Sequence, residues 1–215
     1  MTTKTSAANE PRLDPFYPVL PDAGWIARLV PLGVKLVQLR FKGGDEAETR
    51  RQISQSMKVC AANGCKLIVN DCWREAIALG ADYIHLGQED LAAADVEAIK
   101  EAKLRLGIST HDHAELQTAL AVDPDYVALG PIYETKLKKM KWSPQGLERV
   151  GEWRRLAGRQ LVAIGGITLE RAEAVRQVGA SSIAVVTDLV THETPEARVE
   201  EWLAWSQDVV AQSGA

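Results

Sequence analysis

The charged residues of this chain that could do chemistry each follow a short apolar run of sequence. They are Arg40, Lys42, Asp71, Asp90 and Lys138. The planar guanidinium of arginine and the compact ammonium of lysine both suit the oxygens of a polyphosphate. A pair of carboxylates, completed by phosphate oxygens and water, is a usual setting for Mg²⁺. Together these residue types predict a site for a diphosphate held with Mg²⁺.

A pair of glycines marks a second candidate anion site. Gly165 and Gly166 end the apolar run Gln160–Gly166 and precede a predicted helix. Glycine lets backbone N–H groups come close to a phosphate at a helix N-terminus. In barrel enzymes such sites often follow the seventh and eighth strands. The pair therefore predicts an anion site that depends mainly on backbone amides.

The elements that must position these residues are predicted from hydrophobic patterning. Apolar runs without inside-to-outside alternation are typical of strands buried on both faces, as in a parallel sheet covered by helices. The predicted strands are Phe16–Leu20, Val34–Arg40, Lys66–Asn70, Tyr83–Leu86, Arg105–Thr110, Tyr126–Ile132, Gln160–Gly166 and Ser181–Thr187. Eight strand–helix pairs without a linker predict a single-domain α/β fold, a (β/α)8 TIM barrel. The competing open doubly wound sheet lacks a dinucleotide fingerprint after its first strand.

Helical spacing fills the segments between these runs. Asp45 with Glu48, and Asp112 with Glu115, have the spacing of capping boxes that open helices. The predicted helices are Gly24–Leu32, Glu46–Ala62, Trp73–Leu79, Leu91–Ala102, Ala114–Ala121, Gly146–Ala157, Leu169–Val178 and Pro195–Val210.

Composition limits the class of protein. The chain has 215 residues, 46% of them apolar and 25% charged, which is typical of one globular domain. Residues 1–15 are polar and predict a flexible tail before a catalytic domain over 16–215, and no apolar run is long enough for a membrane helix. The net charge of −4 disfavours a nucleic-acid partner. Three cysteines without metal-ligand spacing indicate reduced thiols in a cytoplasmic protein.

Each candidate residue also has a purely structural interpretation. Asp71 and Asp90 both precede predicted helices and could be N-caps. Arg40 could form an ion pair with Asp71, and Gly165–Gly166 could be an ordinary turn. The segment His111–His113 has metal-ligating residue types, but capping by Asp112 beside exposed histidines is favoured. A diphosphate and metal site has the advantage that it explains many of these positions at once.

The motifs, taken in order, resemble the thiamine phosphate synthase (thiamine-phosphate pyrophosphorylase) family. The resemblance extends from about Phe16 to about Ala204. It rests on Val37–Arg40 with Lys42, Asn70–Asp71, His85–Asp90, Leu106–Asp112, Pro144–Leu147, Ala163–Ile167 and Ile183–Val186. The family fold is a small (β/α)8 barrel, which agrees with the patterning.

The resemblance implies a reaction and a set of site residues. The family joins hydroxymethylpyrimidine diphosphate to a thiazole phosphate, giving thiamine phosphate and pyrophosphate, and its cofactor is Mg²⁺. By likeness, the pyrimidine diphosphate would be held by Gln38, Leu39, Arg40, Phe41, Lys42, Asn70, Ser109 and Lys138, with Arg40, Lys42 and Lys138 catalytic. Asp71 and Asp90 would hold Mg²⁺. The thiazole phosphate would be held by Thr135, Lys136, Leu137, Gly166, Val186 and Thr187. No protein nucleophile is needed, and no cysteine is expected in the site.

One position departs from the family pattern. The family usually reads Thr-x-Thr-Lys after the sixth strand, whereas this chain reads Thr135-Lys136-Leu137-Lys138. Leucine lacks a hydroxyl that would donate to the thiazole phosphate, a bond worth about 1.5–3 kcal/mol when the acceptor is charged. Weaker acceptor binding, compensation by nearby lysines or the backbone, and an altered acceptor are all compatible with this change. The loop over Tyr133–Pro144 is long and predicts a lid.

Two other functions compete with synthesis of thiamine phosphate. A thiazole tautomerase on the same barrel would need the thiazole phosphate site but not the diphosphate and metal residues. A non-catalytic barrel that binds a phosphorylated metabolite is favoured only by Leu137. In every case the expected partners are small molecules, and a homo-oligomer is compatible with the sequence.

Overall fold

Eight parallel strands close into a barrel in chain order, each strand pairing with its sequence neighbours and β8 with β1. The computed structural model describes residues 12–135 and 142–213. The strands are β1 (Phe16–Leu20), β2 (Leu36–Leu39), β3 (Lys66–Asn70), β4 (Tyr83–Leu86), β5 (Arg105–Thr110), β6 (Tyr126–Leu129), β7 (Gln160–Ile164) and β8 (Ser182–Val185). The predicted fold class is confirmed.

Helices surround the barrel and connect each strand to the next. They are α1 (Ala23–Leu29), α2 (Glu46–Ala62), α3 (Trp73–Leu79), α4 (Gln88–Ala93), α5 (Val96–Glu101), α6 (His113–Ala121), α7 (Gly146–Ala157), α8 (Leu169–Gln177), α9 (Thr187–Val190) and α10 (Pro195–Ser213). A 3₁₀ turn over Val30–Leu32 extends α1. None of the helices in the described part of the chain has both the length and the apolarity needed to cross a membrane.

The side chains of each strand alternate in direction, and this divides the core into two layers. One set of strand residues, such as Val37, Val69 and Ile84, packs outward against the helices. The other set, such as Ile68 and Tyr126, fills the inside of the barrel. Successive side chains of a strand point to opposite faces of the sheet. Both faces are buried here, one against the helices and one inside the barrel, so the runs are apolar throughout.

Capping explains where several helices begin. The Asp45 carboxylate accepts from the Glu48 N–H at 2.8 Å to open α2, and the Asp112 carboxylate accepts from the Glu115 N–H at 2.9 Å to open α6. Both predicted capping residues are confirmed. His113 is exposed as predicted, whereas His111 is partly buried and its Nδ1 lies 2.7 Å from Oε2 of Glu115.

The structure corrects several predicted boundaries. The predicted helix Leu91–Ala102 is two helices, because Ala94 has an extended backbone and Asp95 caps α5 by accepting from Ala98 N–H at 3.0 Å. The short helix α9 replaces the end of the predicted strand Ser181–Thr187. The predicted strands Val34–Arg40, Tyr126–Ile132 and Gln160–Gly166 are shorter in the structure, although the Arg40 N–H still donates to the Leu20 carbonyl at 2.8 Å and the Ile132 N–H to the Ile164 carbonyl at 2.9 Å.

Contacts with the barrel begin just before the predicted end of the tail. The Leu13 N–H donates to the Gln160 side chain at 2.8 Å, and the Asp14 carbonyl accepts from the Ser182 hydroxyl at 2.6 Å. These residues therefore close the amino-terminal end of the barrel. Residues 1–11 lie outside the described part of the chain, and the tail stays a prediction there.

Candidate active site at the carboxyl rim of the barrel

The loops after β2 and β3 bring a lysine and a carboxylate into contact. The Lys42 ammonium donates to Oδ2 of Asp71, and the Asn70 amide donates to the same oxygen at 2.5 Å. Lys42 is exposed, whereas Asn70 is buried at the end of β3. The predicted cation and carboxylate thus meet at the carboxyl rim.

The backbone at Asp71 adopts the left-handed region, with φ of 63°. Aspartate tolerates this region better than most residues, and such positions are enriched at functional sites. The Asp71 N–H donates to the His85 carbonyl at 2.9 Å, and Cys72 holds the N-cap position of α3. The alternative that Asp71 caps this helix is therefore wrong. Its ion-pair partner within the described residues is Lys42, not Arg40.

Asp90 lies beside Asp71, in the first turn of α4. Gly87 holds the N-cap position of that helix, so Asp90 is not its cap either. Partial burial and the negative charge of Asp71 raise the pKa of Asp90, and the Lys42 ammonium partly opposes this rise. Two carboxylates that repel one another in this way form a candidate site for a cation.

A cleft of about 210 Å³ opens at this carboxylate pair. Its lining residues are Asp71, Cys72, Trp73, Arg74, Glu75, Asp90 and Ala93. The expectation that no cysteine would lie at the site is wrong, since Cys72 follows Asp71 directly. Burial, Glu75 and Asp71 raise the pKa of the Cys72 thiol, which keeps the thiol protonated and a poor nucleophile.

The stretch Gln38–Lys42 alternates between faces of β2 and its loop. Gln38 points into the barrel and is 5% exposed, whereas Arg40 is exposed at the rim. Leu39 and Phe41 pack with the outer core between strands and helices. Their side chains therefore face away from the rim, and a ligand there would meet only their backbone.

Polar side chains form a hydrogen-bonded chain across the barrel interior. Gln38 Nε2 donates to the Tyr17 hydroxyl at 2.7 Å, and the Tyr17 and Tyr126 hydroxyl oxygens lie 3.2 Å apart. The Tyr126 hydroxyl lies 2.9 Å from Nδ1 of His85, whose Nε2 lies 2.8 Å from the Ser109 hydroxyl. We call these residues the interior chain. It links two predicted site residues, Gln38 on β2 and Ser109 on β5, which lie three strands apart around the barrel.

Burial determines the protonation of the interior chain. It lowers the pKa of His85 to about 4, an effect that the Asp71 charge partly opposes. It also raises the pKa of Tyr17 and of Tyr126. At neutral pH the imidazole is therefore neutral and both phenols keep their hydrogens.

The second predicted anion site lies where the loops after β6 and β7 touch. Gly165 and Gly166 have φ of 99° and 67°, and a Cβ on either would collide with the backbone of the β6 loop. The Tyr133 N–H donates to the Gly165 carbonyl at 2.9 Å. Close packing of the two loops is thus sufficient to explain both glycines, whereas an ordinary strand–helix turn would not require it.

Val186 and Thr187 lie next to this turn, at the start of α9. The guanidinium of Arg198 binds the Asp188 carboxylate through Nε at 2.8 Å, and the Trp202 indole donates to Asp188 at 2.8 Å. Two residues of α10 therefore hold α9 in place. Thr135 is half-buried at the end of the described β6 loop. Lys136, Leu137 and Lys138 lie outside the described residues, as does half of the predicted lid.

Comparison with known proteins agrees with this fold. A family model described as thiamine monophosphate synthase matches residues 20–189, which is most of the chain. The chain belongs to this family. It is 60% identical to a thiamine-phosphate synthase of Rhizobium etli over 194 residues, which cover 90% of this chain and 95% of that protein. A thiamine-phosphate synthase of Neisseria meningitidis serogroup A is 45% identical over 88% of this chain and 93% of its own length.

Solved structures of this fold give the same architecture. A thiamine phosphate pyrophosphorylase from Pyrococcus furiosus superposes with a TM-score of 0.80 at 24% identity, over 91% of this chain and 96% of that one. A 3-hexulose-6-phosphate synthase superposes with a TM-score of 0.62 at 17% identity, over 87% and 98% of the two chains. At these identities the likeness supports the barrel alone. Family membership confirms the predicted resemblance.

Several residues that support the rim from the barrel interior or from α10 were absent from the predicted site. Tyr17 and Tyr126 lie inside apolar strands and read as core residues in the sequence. His85 interrupts the apolar run of β4, a signal that pointed to the rim without giving its partners. Arg198 lies in α10, and no local pattern connects it with Asp188.

Proposed function

We propose that this chain, an enzyme of the thiamine-phosphate synthase family, acts by displacement of pyrophosphate at the carboxyl rim. The thiazole nitrogen forms a bond to the methylene carbon of hydroxymethylpyrimidine diphosphate. The bond from that carbon to the diphosphate oxygen breaks, and pyrophosphate leaves with the bonding electrons. The products are thiamine phosphate and pyrophosphate.

The observation that carries this proposal is the grouping of Lys42, Asp71 and Asp90 at one edge of the barrel. Lys42 and Asp71 come from the loops after β2 and β3, and Asp90 comes from the first turn of the helix after β4, so the parallel pairing of these neighbouring strands brings the three together. A metal diphosphate needs negative groups to bind the metal ion and a positive group to bind the phosphate oxygens. The two adjacent carboxylates and the lysine bound to one of them supply both. A packing role alone gives no reason to place two carboxylates in contact.

The donor set fits Mg²⁺. In the described residues no group of three or more His, Cys, Asp or Glu side chains could hold a metal ion, so a cation at this rim would rely on Asp71 and Asp90. Mg²⁺ is usually bound through one or two carboxylates, with phosphate oxygens and water completing six ligands. When bound, Mg²⁺ would neutralise charge that develops on the leaving pyrophosphate.

The other rim residues bind and orient the pyrimidine diphosphate. Arg40 is exposed and makes no ion pair in the described part of the chain, which leaves its guanidinium available for diphosphate oxygens. Lys42 is more exposed than the Asp71 carboxylate that it binds, and it would bind the same group, with Lys138 from the β6 loop. Gln38, Asn70 and Ser109 would hold the pyrimidine, and Leu39 and Phe41 would contribute backbone groups.

The thiazole phosphate would occupy the opposite side of the rim. Thr135, Lys136 and Leu137 would approach it from the β6 loop, and Gly166, Val186 and Thr187 would approach it from the loops after β7 and β8. Backbone N–H groups at such loop ends suit a phosphate. The protein's part is then to bind both substrates and hold the acceptor nitrogen in line with the methylene carbon.

The chemistry needs no nucleophile from the protein. The electron-rich aminopyrimidine ring stabilises positive charge on its methylene carbon, so departure of pyrophosphate can precede attack. Catalysis therefore depends on stabilising the leaving oxygens. The protonated thiol of Cys72 agrees with this scheme, because covalent catalysis would need a thiolate.

Incubation of the purified chain with both substrates and Mg²⁺ tests the proposal. We expect thiamine phosphate and pyrophosphate in equal amounts, and neither product when Mg²⁺ is removed by a chelator. Isomerisation of a thiazole phosphate without Mg²⁺ would instead identify a tautomerase. Binding of substrates without any product would indicate the non-catalytic alternative.

A further inference from the structure

The interior chain has a feature that the proposed function leaves unused, namely its direction. The interior chain spans the barrel, because its members come from five strands. They are Gln38 on β2, Tyr17 on β1, Tyr126 on β6, His85 on β4 and Ser109 on β5. Each hydroxyl and the neutral imidazole can either donate to or accept from its neighbour. The orientation of the group at one end can therefore determine the direction of every hydrogen bond along the interior chain.

Gly107 creates the room that the interior chain requires. It is paired with His85 on one side and Tyr126 on the other in the barrel ladder. A Cβ at this position would collide with the Tyr126 ring. The absent side chain lets the ring lie across β5 and stack with the His85 ring, with 5.6 Å between ring centroids and 22° between planes. The contact is therefore built into the backbone of β5.

The direction of the interior chain is set at Gln38. An amide nitrogen can only donate, so the Tyr17 oxygen accepts from Gln38 Nε2. The Tyr17 hydrogen then goes to Tyr126, and the Tyr126 hydrogen goes to Nδ1 of His85. A neutral imidazole carries one hydrogen, which must lie on Nε2 and point to the Ser109 oxygen.

The opposite direction would leave a buried hydrogen without an acceptor. If Tyr126 donated to Tyr17, the Tyr17 oxygen would accept twice and its own hydrogen would have no described partner. Tyr17 is 1% exposed, and leaving a buried donor without a partner is costly. In the favoured direction the hydrogen without a protein partner is that of Ser109, which is only partly buried and faces the rim.

We propose that the interior chain fixes the Nε2–H tautomer of His85 and so offers the pyrimidine a donor at Ser109 and an acceptor at Gln38 Oε1. No described residue donates to that Gln38 oxygen. An aminopyrimidine offers the complementary pair, a ring nitrogen that accepts and an amino group that donates. In an oxo-pyrimidine the ring nitrogen carries a hydrogen and the exocyclic oxygen accepts, so both contacts are reversed.

The interior chain thus selects the amino form of the pyrimidine, an inference that rests on the proposed function. Tyr17, Tyr126 and His85 are positioning residues, because they act through Gln38 and Ser109. Turning the Gln38 amide over would reverse every bond and move the His85 hydrogen to Nδ1. The tautomer of His85 therefore reports the pattern of donor and acceptor that Ser109 and Gln38 present.

The first test reads this tautomer directly in the protein without substrates. Nitrogen-15 NMR of the histidine rings distinguishes Nε2–H from Nδ1–H, and the signal that is lost in His85→Gln assigns residue 85. We expect Nε2–H in the wild type and a reduced Nε2–H population in Tyr126→Phe. An Nδ1–H tautomer in the wild type would overturn the inference, whether or not the chain makes thiamine phosphate.

The second test measures selectivity by calorimetric binding of the aminopyrimidine diphosphate and its oxo analogue, each with Mg²⁺. We expect the wild type to prefer the amino form by about tenfold or more, and Tyr126→Phe to lose most of that preference. The control is Tyr83→Phe, the same change inside the barrel but outside the interior chain.

The outcomes of the second test separate the inference from the proposed function. Equal affinities in a wild type that makes thiamine phosphate would overturn the inference alone. The same preference in Tyr126→Phe and the wild type would also overturn it. A wild type that has the Nε2–H tautomer but makes no thiamine phosphate would refute the proposed function instead.

Discussion

Lys42 donates a hydrogen bond to Asp71 across the gap between the loops after β2 and β3. The same carboxylate lies against Asp90 and raises its pKa. Asp71 thus takes part in both halves of the proposed metal diphosphate site. Its left-handed backbone and its bond from Asn70 fix the direction of the side chain.

Replacing Asp71 by Asn is expected to lower kcat by about 10²–10³, the range for loss of one preorganised charge partner. Asparagine also tolerates the left-handed backbone, so the fold should persist. Steady-state kinetics at saturating Mg²⁺ measures the effect. Asp82→Asn is the control, because Asp82 is exposed at the amino-terminal end of β4. Near wild-type turnover in Asp71→Asn would contradict the assignment.

His85 is expected to make the protein less stable in acid. Burial lowers its pKa to about 4, whereas the unfolded residue titrates near 6.5. Between these values the unfolded chain binds more protons, so the free energy of unfolding falls as the pH falls. The full contribution, present above pH 6.5 and lost by about pH 4, is about 3 kcal/mol.

Urea unfolding at several pH values measures this contribution. The difference between the wild type and His85→Gln should shrink as the pH falls from 6.5 to 4. His192→Gln, at an exposed histidine, should follow the wild type. If the free energy of unfolding of His85→Gln depended on pH as steeply as that of the wild type, the buried imidazole would not be the source of the acid sensitivity.

Gly107→Ala is expected to destabilise the barrel by about 1–3 kcal/mol, the range for overpacking a core. The added methyl group would displace the Tyr126 ring. Thermal or urea unfolding measures the change. Gly151→Ala, in the middle of α7 with ordinary contacts at 3.6 Å, should raise stability by about 0.5–1 kcal/mol. Destabilisation of equal size at both glycines would argue against a specific clash with Tyr126.

Arg198→Met is expected to loosen α9, because Asp188 would lose its buried partner. Breaking such a pair costs about 3 kcal/mol, and the effect should also raise the KM for thiazole phosphate more than that for pyrimidine diphosphate. Unfolding and two-substrate kinetics measure the two effects. Arg28→Met removes an exposed ion pair with Glu196 and should change neither. Equal rises in both KM values would contradict a specific role of α9 in binding thiazole phosphate.

Local signals in the sequence were sufficient for much of the fold. The bounds of β1, β3, β4 and β5 and of α2 and α7 agree with the prediction, since apolar runs and capping residues specify them locally. The split between α4 and α5 was missed because the apolar spacing continues across it. Only the extended backbone at Ala94 and the cap by Asp95 separate the two helices.

The grouping of candidate site residues was predictable where they stand at strand ends, and not where they meet inside the barrel. Asp71 and Asp90 were recognised because charged residues after buried strands are conspicuous. Tyr17 and Tyr126 are 109 positions apart, and each reads as an ordinary core residue. Their contact depends on closure of the barrel and on the space at Gly107, neither of which a local pattern reveals.

A crystal of the chain soaked with Mn²⁺ and pyrophosphate tests the central claim most directly. Manganese takes oxygen ligands as magnesium does and can be located by anomalous scattering. We predict one ion bound by both Asp71 and Asp90, with pyrophosphate oxygens on the ion and on Arg40 and Lys42. Pyrophosphate bound at the rim with no ion between the two carboxylates would contradict the account.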